Sequence, residues 1–206
     1  NRTSCFYMKQ RKILILSFLI LIVLVLTHQV DRIDQLIYEK IQLIQTPLLT
    51  QIMIYLTNLG SGIFYAFVLI LCFLFKRKQT ASLTLFMLMS CACGNLFKYL
   101  IQRPRPMAML IRETNYSFPS NHALNAIVFY WLFALCIYQK KDKVQKLLFV
   151  MPLIIGFTRI YLHVHYFSDV LGGFLLGVLL TNYYISLNKP TNMINYKRGG
   201  KCDETE

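Results

Sequence analysis

Thr158 to Val170 reads TRIYLHVHYFSDV, and within it an arginine, two histidines and an aspartate join two apolar runs. His165 and Asp169 are four apart, so they share a face wherever the chain is helical. A carboxylate on one ring nitrogen sets the tautomer and leaves the other nitrogen basic. That arrangement suits attack by a histidine on phosphorus and a covalent phosphohistidine. His163 is six residues from Asp169 and four from Arg159, so its expected place is beside Arg159 or among lipid headgroups. A second cluster is FPSNHALN, with Ser120, Asn121 and His122 where an apolar run begins. Free N–H groups and the dipole at a helix start make an anion site, to which the Ser120 hydroxyl would add. His122, in the first turn, is placed to protonate a leaving oxygen, and Asn121 tolerates turn geometry. A third cluster is KYLIQRPRP, with Lys98, Arg103 and Arg105. Lys98, Arg105 and Arg159 are cations short of acidic partners, with Asp169 and Glu113 the candidates. Phosphate is the natural counter-ion for such a set, because the arginine fork matches its oxygens.

The elements that carry these residues are set by hydropathy. The chain has 206 residues, of which 56% are hydrophobic and 15% charged, and a mean hydropathy of +0.48. A soluble domain would carry more charge. Residues 13–30, 41–75, 79–97, 115–139 and 170–188 hold no Asp, Glu, Lys or Arg. A spanning helix needs roughly 20 apolar residues, which predicts spans at 13–30, 52–75, 80–100, 121–138, 147–164 and 169–187. The expected fold is all-α, a polytopic bundle of six transmembrane helices. Residues 1–12 form a cytoplasmic N-terminal segment, 13–187 one membrane domain, and 188–206 a cytoplasmic basic tail.

The formal net charge of +13 does not point to nucleic acid, because the basic residues fall on alternate connections. Lys9, Arg11 and Lys12 precede the first span, and Lys76, Arg77 and Lys78 follow the second. Lys140, Lys141, Lys143 and Lys146 follow the fourth, and Lys189, Lys197, Arg198 and Lys201 follow the sixth. This positive-inside pattern puts both termini in the cytoplasm. The connections 28–51, 101–120 and 164–168 then face outward, and all three polar clusters gather on that face. In the first connection, Ile33, Ile37, Ile41 and Ile44 recur at helical spacing, which fits an interfacial helix or a packed connector. Residues 1–7, before Met8, read as dispensable, and the first span as a retained anchor without a signal-peptide cleavage site.

The six cysteines (Cys5, Cys72, Cys91, Cys93, Cys136, Cys202) are scattered and make no zinc-ligand spacing. The Asn115-Tyr116-Ser117 sequon is discounted because it abuts the FPSNH cluster. No acidic relay crosses the middle of a span, which sets a transporter aside.

Together, the three clusters resemble the motifs of the type 2 phosphatidic acid phosphatases, the membrane lipid phosphate phosphatases. The chain is similar in particular to the bacterial phosphatidylglycerophosphate and undecaprenyl pyrophosphate phosphatases. The first motif, a lysine, six residues and Arg-Pro, selects Lys98 and Arg105 over Arg103. The second, Pro-Ser-Gly-His, is Pro119 to His122 with Asn121 in place of glycine. The third, Ser-Arg, five residues, His, three residues, Asp, gives Arg159, His165 and Asp169, with Thr158 in place of serine. The resemblance spans about 37–187. It implies His165 as nucleophile, Asp169 as its orienting carboxylate and His122 as the acid. It also implies Lys98, Arg105, Ser120, the Asn121 backbone and Arg159 as phosphate ligands. No metal or other cofactor is implied, since the cations supply the charge. The expected partners are a membrane lipid phosphate and the bilayer, in a plasma-membrane protein with its site on the outer face. The alternatives are a lipid-to-lipid phosphotransferase of the same family and a non-catalytic lipid-phosphate binder.

Overall fold

The computed structural model describes the backbone of residues 2–188 and the side chains of residues 10–187. Asn1, the basic tail from Lys189 with Cys202, and the side chains of Lys9 and Cys5 lie outside the described residues. The described chain is helical: α1 (Arg2–Leu26), α2 (Asp31–Gln42), α3 (Pro47–Asn58), α4 (Gly62–Leu74), α5 (Thr80–Ile101), α6 (Asn121–Leu132), α7 (Lys143–Tyr161) and α8 (Phe167–Asn188). α6 continues into one wider π-type stretch, Phe133–Tyr138.

Four segments are long and apolar enough to cross a membrane as single helices: Thr80–Ile101, Asn121–Tyr138, Lys143–Tyr161 and Phe167–Leu187. Two bent pairs are long and apolar enough when each is taken together, Gln10–Leu26 with Asp31–Gln42 at 84° and Pro47–Asn58 with Gly62–Leu74 at 44°. The expected unbroken second span, 52–75, is therefore two helices. The break is written in Asn58-Leu59-Gly60-Ser61-Gly62. Ser61 caps α4 by accepting from the Phe64 N–H at 3.2 Å, and the Tyr130 hydroxyl donates to the Leu59 carbonyl at 2.9 Å. A broken helix inside a bilayer needs such substitutes for its lost backbone bonds. The first span ends at Leu26 rather than residue 30, where His28 at φ 60° turns the chain into α2.

α2 packs against α7 and α8, with only some of its regularly spaced isoleucines turned inward. Ile33 and Ile44 are exposed, whereas Asp34 is 2% exposed. The inward face carries Asp34 with the half-buried Ile37, Tyr38 and Ile41, so the helix is docked by a carboxylate.

α6 is the axle of the bundle. Ala123 through Tyr130 are buried along one continuous run, and α6 packs against α5, α7 and α8. Its contact with α8 is close because Gly173 and Gly177, one turn apart, face it. A β-carbon at Gly173 would lie 2.5 Å from the Ser120 carbonyl oxygen, and one at Gly177 would lie 2.7 Å from Ile127 Cβ. Small residues allow this approach between membrane helices. One consequence is that the Ser120 N–H reaches the Asp169 carbonyl at 3.0 Å, which brings the starts of α6 and α8 together.

Candidate active site

α5 stops at Gln102, a left-handed cap at φ 51°, because two prolines follow within four residues and cannot continue a helix. The chain then runs as an irregular loop to Ser120. Lys98, 3% exposed, pins that loop by donating to the carbonyls of Tyr116 and of Ser117, the latter at 3.3 Å. Arg105 pins it again, donating from Nε to the Asn115 carbonyl at 2.7 Å and from another nitrogen to the Asn115 side chain. Asn115 and the buried Ser117 are thus structural parts of the loop.

The eight residues singled out in the sequence come from four segments, and the fold collects them. Arg105 donates to the Val164 carbonyl at 2.5 Å and stands 3.2 Å from His165 Nε2. Arg159, 1% exposed, donates to the Thr57 hydroxyl at 3.0 Å and pairs with Glu113. The other oxygen of Glu113 is 3.8 Å from Arg105, so one carboxylate bridges the two arginines. His122 lies within electrostatic reach of Arg159, His165, Arg105 and Lys98. It borders the α3–α4 break, where a β-carbon on Gly60 would come within 3.2 Å of His122 Cδ2.

His165 is not helical, since α8 begins at Phe167. Its Nδ1 still faces Asp169 Oδ2 at 3.5 Å. This is an ion-pair distance and leaves Nδ1 without a hydrogen-bond partner. Catalytic hydrogen bonds are often this long without substrate. Burial, and then the fields of Arg105, Arg159 and Lys98, push the His165 imidazole well below its ordinary 6.5. The neutral form of the ring is thereby favoured. His163 is placed elsewhere: it stacks on Tyr38 at 3.9 Å between ring centroids and lies 3.2 Å from Gln45 Nε2. It packs α2 and the α2–α3 turn onto the site rather than contacting headgroups.

Four buried polar atoms without hydrogen-bond partners belong to motif residues: Ser120 Oγ, Asn121 Oδ1, Arg159 Nε and His165 Nδ1. Buried polar atoms are normally paired, so unpaired Ser120 Oγ, Arg159 Nε and His165 Nδ1 suit a place built for a polar ligand. Ser120 stands at the N-cap of α6 and makes no capping bond there, which leaves its hydroxyl available. Asn121, where the motif has glycine, turns its side chain aside onto α5. Its Nδ2 donates to Asn95 Oδ1 at 2.8 Å, and its Oδ1 lies where a Gly94 β-carbon would be, 2.1 Å away.

The PAP2 superfamily profile matches residues 79–192, more than half of the chain and all three clusters. The chain belongs to the PAP2 superfamily. It is 33% identical to phosphatidylglycerophosphatase B of Bacillus subtilis over 180 residues, covering 81% of this chain and 89% of that one. It is 29% identical to the undecaprenyl-diphosphatase of Sulfolobus acidocaldarius over 68% of this chain and 71% of that one. The crystal structure of a transmembrane PAP2-type phosphatidylglycerolphosphate phosphatase from Bacillus subtilis superposes with a TM-score of 0.77 at 28% identity, over 94% of this chain and 98% of that one. The chain is thus a multi-pass membrane phosphatase of the PAP2 lipid phosphatase family.

Sequence reasoning passed over three polar residues of this PAP2 site. Arg103, set aside by motif spacing, pairs with Asp169 at 2.7 Å. Asp34 and Ser168, one on α2 and one in α8, join the same network. The available signals were slight: an arginine inside a repeated Arg-Pro, and an aspartate on an otherwise amphipathic helix.

Proposed function

We propose that this PAP2 phosphatase hydrolyses the phosphomonoester or pyrophosphate of a membrane lipid, undecaprenyl pyrophosphate and/or phosphatidylglycerophosphate, through a phosphohistidine at His165. The observation that carries the reading is the setting of the His165 ring, with Nδ1 toward Asp169 and Nε2 toward Arg105. A neutral imidazole with its proton on Nδ1 directs the Nε2 lone pair at whatever anion Arg105 holds. Lys98, Arg105, Arg159, the Ser120 hydroxyl and the N–H groups at the start of α6 surround that position with donors.

In the first step Nε2 bonds to phosphorus while the bond to the leaving oxygen breaks, and His122 gives that oxygen a proton. In the second step His122 takes a proton from water, whose oxygen displaces Nε2 and frees inorganic phosphate. The cations stabilise the trigonal-bipyramidal transition states, so charge that a metal would otherwise supply comes from the chain. Helix ends carrying the site face outward in this reading, and both termini face the cytoplasm.

Purified wild type in detergent and EDTA should release phosphate from both lipids, and folded His165→Ala should fall by at least about a thousandfold. Near-normal turnover of His165→Ala would sink the nucleophile assignment, and loss of wild-type activity in EDTA would sink the metal-independent mechanism. Label from undecaprenyl pyrophosphate should appear in free phosphate; its appearance in a second lipid would make the chain a phosphotransferase.

A further inference from the structure

Arg103 is 9% exposed and its polar contacts are acidic or hydroxylic. One terminal nitrogen donates to Asp169 Oδ1 and to Ser168 Oγ, each at 2.7 Å. The other donates to Asp34 Oδ2 at 2.8 Å and approaches Asp31 Oδ1 at 3.4 Å. The guanidinium carbon lies 4.3 Å from the centroid of the Tyr166 ring, a cation–π contact that fixes its plane. Asp34 is itself committed. Its Oδ1 accepts from the Ser168 backbone N–H at 2.9 Å, and its Oδ2 accepts from the Ser168 hydroxyl. A carboxylate from α2 thereby caps the first turn of α8, where the helix dipole favours negative charge.

Asp169 is held on both sides by this arrangement. Oδ1 is taken by Arg103, and Oδ2 accepts from the Tyr166 N–H at 2.9 Å while facing His165 Nδ1. The carboxylate plane cannot turn without breaking one of these bonds. We infer that Arg103 and Asp34 are positioning residues for the phosphoryl transfer: Asp34 fixes Arg103, Arg103 fixes Asp169, and Asp169 aims His165. The helix α2, which lies at 84° to α1, is therefore a working part of the active site. Arg103, with its charge spent on carboxylates, does not serve as a phosphate ligand, unlike Arg105 two residues later. An orienting hydrogen bond behind a nucleophile acts on the chemical step and not on substrate binding, which separates this role from phosphate binding.

The inference rests on the roles proposed for His165 and Asp169. It is tested with Arg103→Gln, Asp34→Asn and the double variant, purified in detergent and assayed for kcat, KM and inhibition by inorganic phosphate. Each single variant should lose about tenfold or more in kcat, with KM and the phosphate inhibition constant within about twofold of wild type. The double variant should be no worse than the poorer single, because the two side chains act in series. Arg103→Lys should recover part of the loss. An unchanged kcat in the single variants would overturn the inference, as would losses that multiply in the double. Phosphate inhibition weakening in step with kcat would instead make Arg103 a phosphate ligand. Should Arg103→Gln fail to fold, Asp34→Asn and Ser168→Ala decide by the same readouts. If His165→Ala keeps its turnover, the underlying reading of the site fails. If His165→Ala is dead and Asp34→Asn keeps its kcat, only the positioning role fails.

Discussion

At the scale of single residues, Asn121 shows how a departure from a motif is absorbed. A side chain at this position would crowd an anion at the start of α6, yet here it points away and bonds to Asn95. Space for it exists only because residue 94 has no β-carbon. Gly94→Ala should therefore force the amide to rotate toward the phosphate position and break its bond to Asn95. The expected result is a kcat/KM loss of about tenfold, or ~1.4 kcal/mol of transition-state stabilisation. Asn121→Gly should be near wild type, and the double variant Gly94→Ala, Asn121→Gly should recover most of the loss. A double variant as poor as Gly94→Ala alone would show that the two positions are not a pair. Asn121 was legible as a departure from the sequence, but its partner was not: Gly94 is 27 positions away, and no spacing rule links them.

At the scale of elements, the site depends on how closely α8 lies against α6. Ser120, at the N-cap of α6, and Asp169, in the first turn of α8, meet through a backbone hydrogen bond. Gly173 is one turn further along α8 and touches the Ser120 carbonyl and Leu124 N–H side of α6. Gly173→Ala would place a methyl group against backbone that cannot rotate away. Overpacking of this kind costs about 1–3 kcal/mol, so the melting temperature in detergent should fall. Turnover should fall with it in the molecules that remain folded, since Ser120 and Asp169 move apart. A variant with wild-type melting and turnover would show that the helices part without consequence for the site. Gly177→Ala, further from the site, should lower stability with less effect on turnover. The existence of α5 to α8 followed from their hydropathy. The 44° break between α3 and α4 did not, because it falls inside a charge-free stretch and hydropathy averages over it.

At the scale of the whole molecule, the charge pattern makes the proposed topology testable. Lys140, Lys141 and Lys143 lie at the ends of helices opposite to Lys98, Ser120, Arg159 and Asp169. By the positive-inside rule, the proposed orientation has the ends carrying the site outside. In a cysteine-free background within intact cells, a membrane-impermeant maleimide should label Arg112→Cys. It should label Lys141→Cys only after the membrane is opened. The reverse pattern would invert the protein and put the site in the cytoplasm.

The sequence by itself determined that the chain is a helical membrane protein, and that three polar clusters sit at span ends on one face. Hydropathy and charge are additive along a chain, so both can be read without knowing what touches what. Spacing to Asp169 favoured His165 over His163, and the resemblance to the family motif favoured Arg105 over Arg103. Only the tertiary structure decided which charges pair. Glu113 joins Arg159 to Arg105, and Asp34 reaches across from α2 to Arg103 and Ser168. Pairing energy falls steeply with distance and is set by burial. Distance between Arg159 and Glu113, 46 residues apart, or Asp34 and Ser168, 134 apart, exists only once the helices have packed. For that reason the sequence left α2 open between an interfacial helix and a packed connector, and only the fold shows its Asp34 bonded to Arg103 and Ser168.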